Sequence, residues 1–268
     1  MTIVEANNNE FYLDGILKRN LEEAKTYIGK DWDVCVLVDG REGSGKSTLA
    51  AQMAAFVDNT FDVSRECFTP RQFVDCVKNG SPGQAIVFDE AITGAFSRRA
   101  MSLSNQVLVK TLAQCREKKL FLFVVLPSFF DLDRNISIWR SRGLFHCYVK
   151  NKERGRFAFF DYRRKKNLFL FGKKAYNYNC TGSSYIGRFT QFFPLNRDEY
   201  LKKKLDAIGN PEELLLPKKN ADDGTMIQRD NLARFVDGLG YSKAEISRIM
   251  SNGTKSITRQ RVSKILNS

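Results

Sequence analysis

A glycine-rich segment carries the clearest chemical signal in this chain of 268 residues. Residues 40–47 read GREGSGKS and match G-x-x-x-x-G-K-[S/T], the pattern of a loop that cradles phosphate groups. Glycine lets successive backbone N–H groups turn toward one anion, where a Cβ would block the approach. In this pattern the lysine reaches the β- and γ-phosphates and the final hydroxyl ligates Mg²⁺. The residues predicted to contact the nucleotide are Gly40, Gly43, Ser44, Gly45, Lys46, Ser47 and Thr48.

Two adjacent acids, Asp89 and Glu90, form the second chemical feature. They follow residues 84–88, an apolar run typical of a buried strand. The first acid of such a pair can hold Mg²⁺ together with the hydroxyl of Ser47, and the second can polarise the attacking water. We therefore predict an ATPase that uses ATP and Mg²⁺, with Asp89 and Ser47 as metal ligands. Lys46 and Glu90 are its predicted catalytic residues.

The elements that must position these groups alternate between short apolar runs and amphipathic segments. Such alternation requires crossover connections, and therefore predicts an α/β fold with a mostly parallel sheet and helices on both faces. The predicted strands are 33–39, 84–88 and 120–126, and the predicted helices are 10–28, 47–57, 70–78 and 105–118.

Beyond residue 142 the pattern changes to short aromatic runs separated by basic residues. We predict an antiparallel β extension over 143–175, with three strands at 143–150, 156–162 and 168–171. The connections 151–155 and 163–167 are predicted to be tight, positively charged turns.

The positive charge is concentrated in this part of the chain. Residues 139–204 contain 17 Lys+Arg and 4 Asp+Glu, whereas the remainder has 43 − 17 = 26 basic and 30 − 4 = 26 acidic residues. A single segment that carries the whole net charge of +13 indicates a polyanion partner, and nucleic acid is the leading candidate. The predicted contacts to the DNA backbone, made without sequence preference, are Arg163, Arg164, Lys165 and Lys166.

The C-terminal region has a different composition. Residues 1–207 form the predicted ATPase domain, 208–224 a linker rich in polar and turn-forming residues, and 225–268 a small helical domain. The last segment resembles the helix-turn-helix of regulators and sigma-type units. The resemblance implies DNA contacts from Arg259, Gln260, Arg261 and Lys264 on the last helix. A protein-docking helical bundle with a basic face is the alternative.

Residues 33–204 resemble the FtsK–HerA class of motor ATPases, in the group with zonula occludens toxin-like and viral DNA-packaging ATPases. Four segments carry the resemblance: the glycine-rich loop, Asp89-Glu90-Ala91, residues 114–119 (QCREKK) and residues 126–133 (LPSFFDLD). The resemblance implies a RecA-like P-loop NTPase fold that assembles into a homo-oligomeric ring, with ATP bound between subunits.

The resemblance also implies roles by position. Arg116 is placed where these motors have a trans-acting arginine finger, with Arg140 and Arg142 as alternatives. Ser128 is placed where a polar sensor contacts the γ-phosphate, although relatives often have Gln or Thr there. Arg98 and Arg99 are placed to face a neighbouring subunit or DNA.

These features lead to three hypotheses for the function. The first is a double-stranded DNA translocase, in particular a viral genome-packaging ATPase with a portal or other DNA-processing protein as partner. The second is a DNA-bound ATPase switch that helps replication or transposition. The third is a nucleotide or small-molecule kinase, which the acid pair and the basic segment disfavour.

The composition and the apolar runs of the chain indicate the cellular location that we expect for the protein. No apolar run approaches the roughly 20 residues of a membrane helix, so we expect no membrane association, unlike the toxin-like members of the group. No signal peptide is recognisable at the N-terminus. The six cysteines are scattered and accompany a single histidine, which predicts buried thiols in a reducing cytoplasm and no zinc site. The expected location is the cytoplasm, that of the host if the protein is viral.

Overall fold

The computed structural model describes residues 2–6, 9–89, 109–112, 114–209, 237, 242–249 and 259–266. The chain divides into two compact units, Met1–Leu216 and Pro217–Ser268. The division falls inside the predicted linker, although residues 208 and 209 belong to a helix of the first unit.

The first unit contains nine strands and five helices among the described residues. The strands are β1 (Ile3–Ala6), β2 (Asn9–Tyr12), β3 (Val34–Gly40), β4 (Glu66–Cys67), β5 (Ala85–Asp89), β6 (Phe121–Val125), β7 (Gly143–Lys150), β8 (Glu153–Phe160) and β9 (Tyr185–Arg188). The helices are α1 (Gly15–Ile28), α2 (Lys46–Val57), α3 (Pro70–Asn79), α4 (Tyr162–Asn167) and α5 (Arg197–Gly209). Residues 109–112 and 114–118 are also helical.

The central sheet has seven strands in the order β4-β5-β6-β3-β7-β8-β9. The pairings from β4 to β7 are parallel, and β8 and β9 extend the sheet in antiparallel fashion. Strand β6 lies between β3, which precedes the glycine-rich loop, and β5, which ends at Asp89. This arrangement confirms the predicted α/β class and is consistent with a RecA-like fold.

Alternating side chains of the parallel strands enter two separate hydrophobic layers. Val36 and Val38 of β3 pack with α1 and α2 on one face. Cys35 and Leu37 pack with α3 and the aromatic segment after β6 on the other face. Both faces are therefore covered, which explains why the parallel strands are continuous apolar runs.

The first helix begins later than predicted. The predicted helix 10–28 is wrong over its first turn, because β2 pairs there with β1 in an antiparallel hairpin. Helix α1 starts at Gly15, where the Asp14 carboxylate accepts hydrogen bonds from the backbone N–H groups of Ile16 and Leu17 at 2.9 and 3.2 Å. This carboxylate satisfies donors that the first helical turn leaves unpaired, and so defines the helix start.

The β extension differs from the prediction after its second strand. Strands β7 and β8 form the predicted hairpin. However, residues 163–167 belong to helix α4 and 168–171 lie in a π-helical turn, Leu168–Gly172. The third strand is instead β9. The buried residues Lys165, Leu168, Phe169 and Gly172 have helical spacing, and the Asp161 carboxylate caps the helix.

Lys165 is not available to DNA, so its prediction as a DNA contact is wrong. Its side chain is 0% exposed, and its ammonium donates hydrogen bonds to the backbone carbonyls of Ser137 and, at 3.2 Å, Ile138. Burial lowers the pKa of Lys165 to about 8. A run of four basic residues therefore contains one that supports the fold.

This buried lysine predicts a pH dependence of stability. The folded pKa of about 8 lies below the ordinary 10.5, so the unfolded chain binds more protons between these values. We expect the free energy of unfolding of the wild type to rise across this window, relative to that of Lys165→Met, with a slope approaching about 1.4 kcal/mol per pH unit. Urea unfolding of both proteins at several pH values from 7 to 10 measures the slope, and parallel pH curves would contradict the prediction.

The second unit is described at two helices, α6 (Lys243–Ile249) and α7 (Arg259–Leu266). Ser242 and Glu245 form a reciprocal cap at the start of α6, and Ile246 and Val262 are fully buried. Gln260 is exposed. Apart from residue 237, residues 225–241 of the predicted helical domain lie outside the described residues, so the helix-turn-helix and its DNA contacts stay predictions.

Candidate nucleotide-binding site

The glycine-rich loop connects β3 to α2 and has the backbone of an anion nest. Gly40, Gly43 and Gly45 have φ values of 139°, 72° and 95°, which are unfavourable for other residues. A Cβ at Gly40 would lie 2.2 Å from the carbonyl oxygen of Cys147 on β7. The loop can adopt this shape against β7 only because residue 40 has no side chain.

Two polar side chains inside the loop are suited to bind phosphate. The Lys46 ammonium donates to the carbonyl oxygens of Gly40 and Arg41 at 2.7 and 3.0 Å, and burial lowers its pKa although nearby Asp89 opposes this. The hydroxyl of Ser44 is buried without a hydrogen-bond partner among the described residues. An unpartnered hydroxyl, a cation and a glycine cradle at one helix N-terminus fit a bound phosphate.

The predicted metal ligands are brought together by the sheet. Asp89 ends β5 with its side chain fully buried, and its Oδ2 accepts a hydrogen bond from the hydroxyl of Ser47 at 2.8 Å. A hydroxyl and a carboxylate are oxygen donors of the kind that Mg²⁺ prefers, so this pair fits the ion. Glu90 lies outside the described residues, and its role as the base stays a prediction.

Ser128 follows β6 and therefore lies between the ends of β3 and β5. Its hydroxyl accepts a hydrogen bond from the backbone N–H of Phe130 at 3.3 Å, and its side chain is half-buried. The strand order thus places Ser128 beside the loop, on the wall of a cavity of about 510 Å³ that also contacts Gly40 and Arg41. Contact with the γ-phosphate remains a prediction for this residue.

A buried polar network supports this side of the loop. Asp39 is fully buried and accepts hydrogen bonds from the hydroxyl of Tyr178, from His146 Nδ1 at 2.8 Å and from the Phe129 backbone N–H at 2.9 Å. The rings of His146 and Tyr178 stack at 3.9 Å. These bonds hold the end of β3 against β7 and the segment that follows β6.

Sequence reasoning missed Tyr200 and Lys204, which reach Asp89 from α5. The Tyr200 hydroxyl and the Lys204 ammonium lie 3.1 and 3.2 Å from Asp89 Oδ2. Their separations of 111 and 115 residues from Asp89 leave no local sequence signal. Only the spacing of four residues between them, which places both on one helix face, could have suggested a common target.

A buried acid without a hydrogen-bond partner was missed as well. Glu66 on β4 is fully buried, and neither carboxyl oxygen has a hydrogen-bond partner among the described residues. Burial raises the pKa of Glu66 well above its ordinary value, and the nearby Asp89 raises it further. Buried carboxyl groups are usually paired, and those with strongly shifted pKa values are typical of functional sites. We therefore count Glu66 as part of the candidate site.

A second cavity, of about 180 Å³, adjoins the N-terminus of α2 beside Gly45, Ser47 and Thr48. Aromatic rings and two guanidinium groups line its other walls, from Arg154, Phe189, Phe193, Arg197 and Tyr200. Aromatic and guanidinium faces can stack on a nucleobase. The cavity therefore suits the nucleoside of a nucleotide whose phosphates occupy the loop.

The candidate arginine fingers differ in their surroundings. Arg116 is exposed at the end of the helical residues 114–118. Arg140 instead forms an ion pair with buried Asp33, with one guanidinium nitrogen at 2.9 Å from Oδ1. The Arg142 guanidinium stacks on Tyr27 at 4.2 Å from the ring centroid. These intrachain contacts argue against Arg140 and Arg142 as trans-acting arginine fingers. Arg98 and Arg99 lie outside the described residues.

The other candidate DNA contacts on α4 reach the surface. Arg163 and Arg164 are exposed, and Arg164 also donates to the backbone carbonyls of Gly182, at 3.1 Å, and Ser183. The Lys166 ammonium lies 5.1 Å from the ring centroid of Trp139. These three residues remain candidates for phosphate contacts, since each is at least partly accessible.

Comparison with known proteins leaves the family open. No family model and no curated protein matches the chain. The cytoplasmic domain of the Type VII secretion ATPase EccC of Thermomonospora curvata is similar over 49% of this chain and 22% of its own, with 14% identity and a TM-score of 0.33. The N-terminal domain of zonular occludens toxin from Neisseria meningitidis is similar over 48% of this chain and 84% of its own, with 17% identity and a TM-score of 0.31.

Such weak likenesses do not decide between classes of ATPase, and the chain spans only about a fifth of the EccC structure. The identification of a P-loop nucleotide site therefore depends on the chain's own geometry, in particular the glycine nest and the Ser47–Asp89 hydrogen bond. Within the described residues, none of the helices has the length and apolar character needed to cross a bilayer.

Proposed function

We propose that the protein is an ATPase that translocates double-stranded DNA. The ATPase activity is proposed from the position of Asp89. This residue accepts a hydrogen bond from Ser47 directly beside the glycine nest and Lys46. Bound Mg²⁺ would neutralise charge on the β- and γ-phosphates. Lys46 would turn from the loop carbonyls to the phosphates, and Glu90 would accept a proton from the attacking water.

The charge distribution supports DNA as the polyanion. The tip of the β7–β8 hairpin exposes Lys150, Lys152 and Arg154, and α4 exposes Arg163 and Arg164. Outside residues 139–204 the chain has equal numbers of acidic and basic residues, so the excess positive charge belongs to this segment. Contacts to phosphate oxygens alone would suit movement along DNA of any sequence.

Exposed apolar groups near the basic helix support assembly into a ring. Trp139 and Phe171 are 59% and 70% exposed, and Leu170 beside Phe171 is also exposed. Leu170 and Phe171 are neighbours in the chain, and adjacent exposed apolar side chains can form part of a protein interface. We propose that these residues contact a neighbouring subunit, that Arg116 completes the neighbour's ATP site, and that a viral portal is the partner during genome packaging.

The competing hypothesis is a DNA-bound ATPase switch in replication or transposition. The C-terminal helical unit favours it, because α7 contributes a candidate DNA-binding helix that could set sequence preference. A switch and a translocase share DNA-stimulated ATP hydrolysis and differ in movement. The kinase hypothesis predicts neither DNA-stimulated hydrolysis nor movement along DNA.

The test is the steady-state ATPase rate with and without linear double-stranded DNA. We expect DNA to stimulate hydrolysis at least about tenfold, the stimulation to fall steeply with salt, and Glu90→Gln to abolish hydrolysis. Displacement of a triplex-forming strand then separates a translocase from a stationary switch. A rate that DNA leaves unchanged, in a protein that Glu90→Gln still inactivates, would contradict the DNA hypothesis and retain the ATPase.

A matched pair of triple variants tests where DNA binds. Changing Arg163, Arg164 and Lys166 to serine is expected to lower DNA affinity and flatten its salt dependence, because three phosphate contacts are lost. The control removes the same number of positive charges elsewhere, at the exposed residues Lys30, Arg71 and Lys78. Equal loss of DNA affinity in both variants would indicate only a nonspecific charge effect.

A further inference from the structure

One oxygen of the predicted metal ligand is unusually crowded. Asp89 Oδ2 lies within hydrogen-bond distance of three donors, Ser47 Oγ at 2.8 Å, Tyr200 Oη at 3.1 Å and Lys204 Nζ at 3.2 Å. The Asp89 side chain is fully buried, whereas that of Lys204 is 25% exposed. A cation from α5 therefore already neutralises this carboxylate.

Lys204 and Mg²⁺ would compete for that oxygen. Both are cations, and a metal ion ligated by Asp89 and Ser47 would lie within a few ångströms of the ammonium. Like charges at such distances in a buried site repel strongly. Binding of Mg²⁺ with the nucleotide therefore requires the Lys204 ammonium to leave Asp89.

A second carboxyl group is available to receive the displaced ammonium. Glu66 on β4 is opposite Val87 of β5, so its side chain lies on the same sheet face as Asp89 two residues later. Neither of its oxygens has a hydrogen-bond partner among the described residues, although Lys203 and Lys204 are its basic neighbours. Lys203 itself donates to the carbonyl oxygens of Val63 and Ser64 at 2.9 and 2.8 Å.

We propose that Lys204 holds Asp89 in the absence of metal and passes to Glu66 when a Mg²⁺-nucleotide binds, so that α5 responds to the metal. This inference rests on the proposed nucleotide site and adds a positioning residue to it. Tyr200 links the metal site to the nucleoside cavity, since its hydroxyl donates a hydrogen bond to Asp89 and its side chain lines that cavity. Movement of α5 would then report an occupied site to the rest of the subunit.

The experiment measures the Mg²⁺ concentration that half-saturates binding of a fluorescent, non-hydrolysable ATP analogue to the full chain. Lys204→Met removes the competing cation and is expected to lower this concentration about tenfold. Lys202→Met removes an exposed lysine from the same helix and is expected to change it less than about twofold. Lys204→Gln, which keeps a polar side chain, should behave like Lys204→Met if the charge is responsible.

A double-mutant cycle tests the transfer to Glu66. Glu66→Gln alone is expected to raise the half-saturating Mg²⁺ concentration about threefold, because the displaced ammonium loses a carboxyl group as its acceptor. In a Lys204→Met background the same change should have no effect, since no ammonium remains to be transferred. Thermal unfolding of each variant verifies that the fold is retained.

The outcomes separate this inference from the proposed function. If the wild type binds no nucleotide at any Mg²⁺ concentration, the proposed function fails and the inference with it. If the wild type binds but Lys204→Met needs as much Mg²⁺ as the wild type, only the role of Lys204 is overturned. An equal effect of Glu66→Gln in both backgrounds would overturn the transfer.

Discussion

Replacing Lys46 by alanine is expected to lower the rate of ATP hydrolysis by at least about a hundredfold. Lys46 is a cation of the glycine loop whose ammonium can turn from the carbonyls of Gly40 and Arg41 to the phosphates. Without it, charge developing on the γ-phosphate in the transition state loses a protein-derived cation that lies in the loop itself. A coupled assay of phosphate release at saturating Mg²⁺ and ATP measures the loss.

The control for Lys46→Ala is Lys30→Ala, which removes an exposed lysine of the same domain. It should leave the rate within about twofold of the wild type. Thermal unfolding separates loss of chemistry from loss of fold, because Lys46 is itself largely buried. Hydrolysis by Lys46→Ala at more than about a tenth of the wild-type rate would refute the assignment of the loop.

Replacing Gly40 by alanine is expected to destabilise the domain by about 3 kcal/mol or more and to abolish nucleotide binding. The new Cβ would lie 2.2 Å from the carbonyl oxygen of Cys147, at a backbone φ of 139°. The contact is with backbone of a central strand, so neither a rotamer change nor a small side-chain shift relieves it. Urea unfolding and titration with a fluorescent ATP analogue measure the two effects.

Gly83→Ala is the matched control. Gly83 also has a positive φ of 83°, but a Cβ there would meet no atom within 4 Å. Its substitution should therefore destabilise the fold by about 1 kcal/mol through backbone strain alone, with nucleotide affinity unchanged. Similar losses of stability in the two variants would show that strain, and not the contact with β7, makes residue 40 a glycine.

The parallel half of the sheet could be predicted because its signals are local. The apolar runs before the loop and before Asp89 became β3 and β5, and the predicted helix 70–78 became α3, which the Thr69 side chain caps. A buried strand excludes polar residues along its length, and a cap acts within one helical turn. Sequence alone was therefore sufficient for these elements.

Prediction failed where a local pattern had two structural interpretations. Residues 168–171, LFLF, were predicted to be a strand, but apolar runs this short do not distinguish a strand from a buried helical turn. The Lys165 side chain explains the outcome, since its ammonium contacts carbonyls of the segment Asn135–Arg140, which lies 25 or more residues earlier. Nothing near Lys165 in the sequence indicates those acceptors.

The sequence by itself determined the phosphate loop, the acid pair, the α/β class and the location of the excess charge. Each of these features could be predicted because it depends on residues that are close together in the sequence or on simple counts of residue types. Only the tertiary structure decided that α5 places Tyr200 and Lys204 on Asp89, that Glu66 beside them has no hydrogen-bond partner in the described part of the chain, and that Lys165 is buried. These three features depend on contacts between elements that are far apart in the sequence. Crossover connections bring such elements side by side in the fold, so no local pattern predicts the contacts.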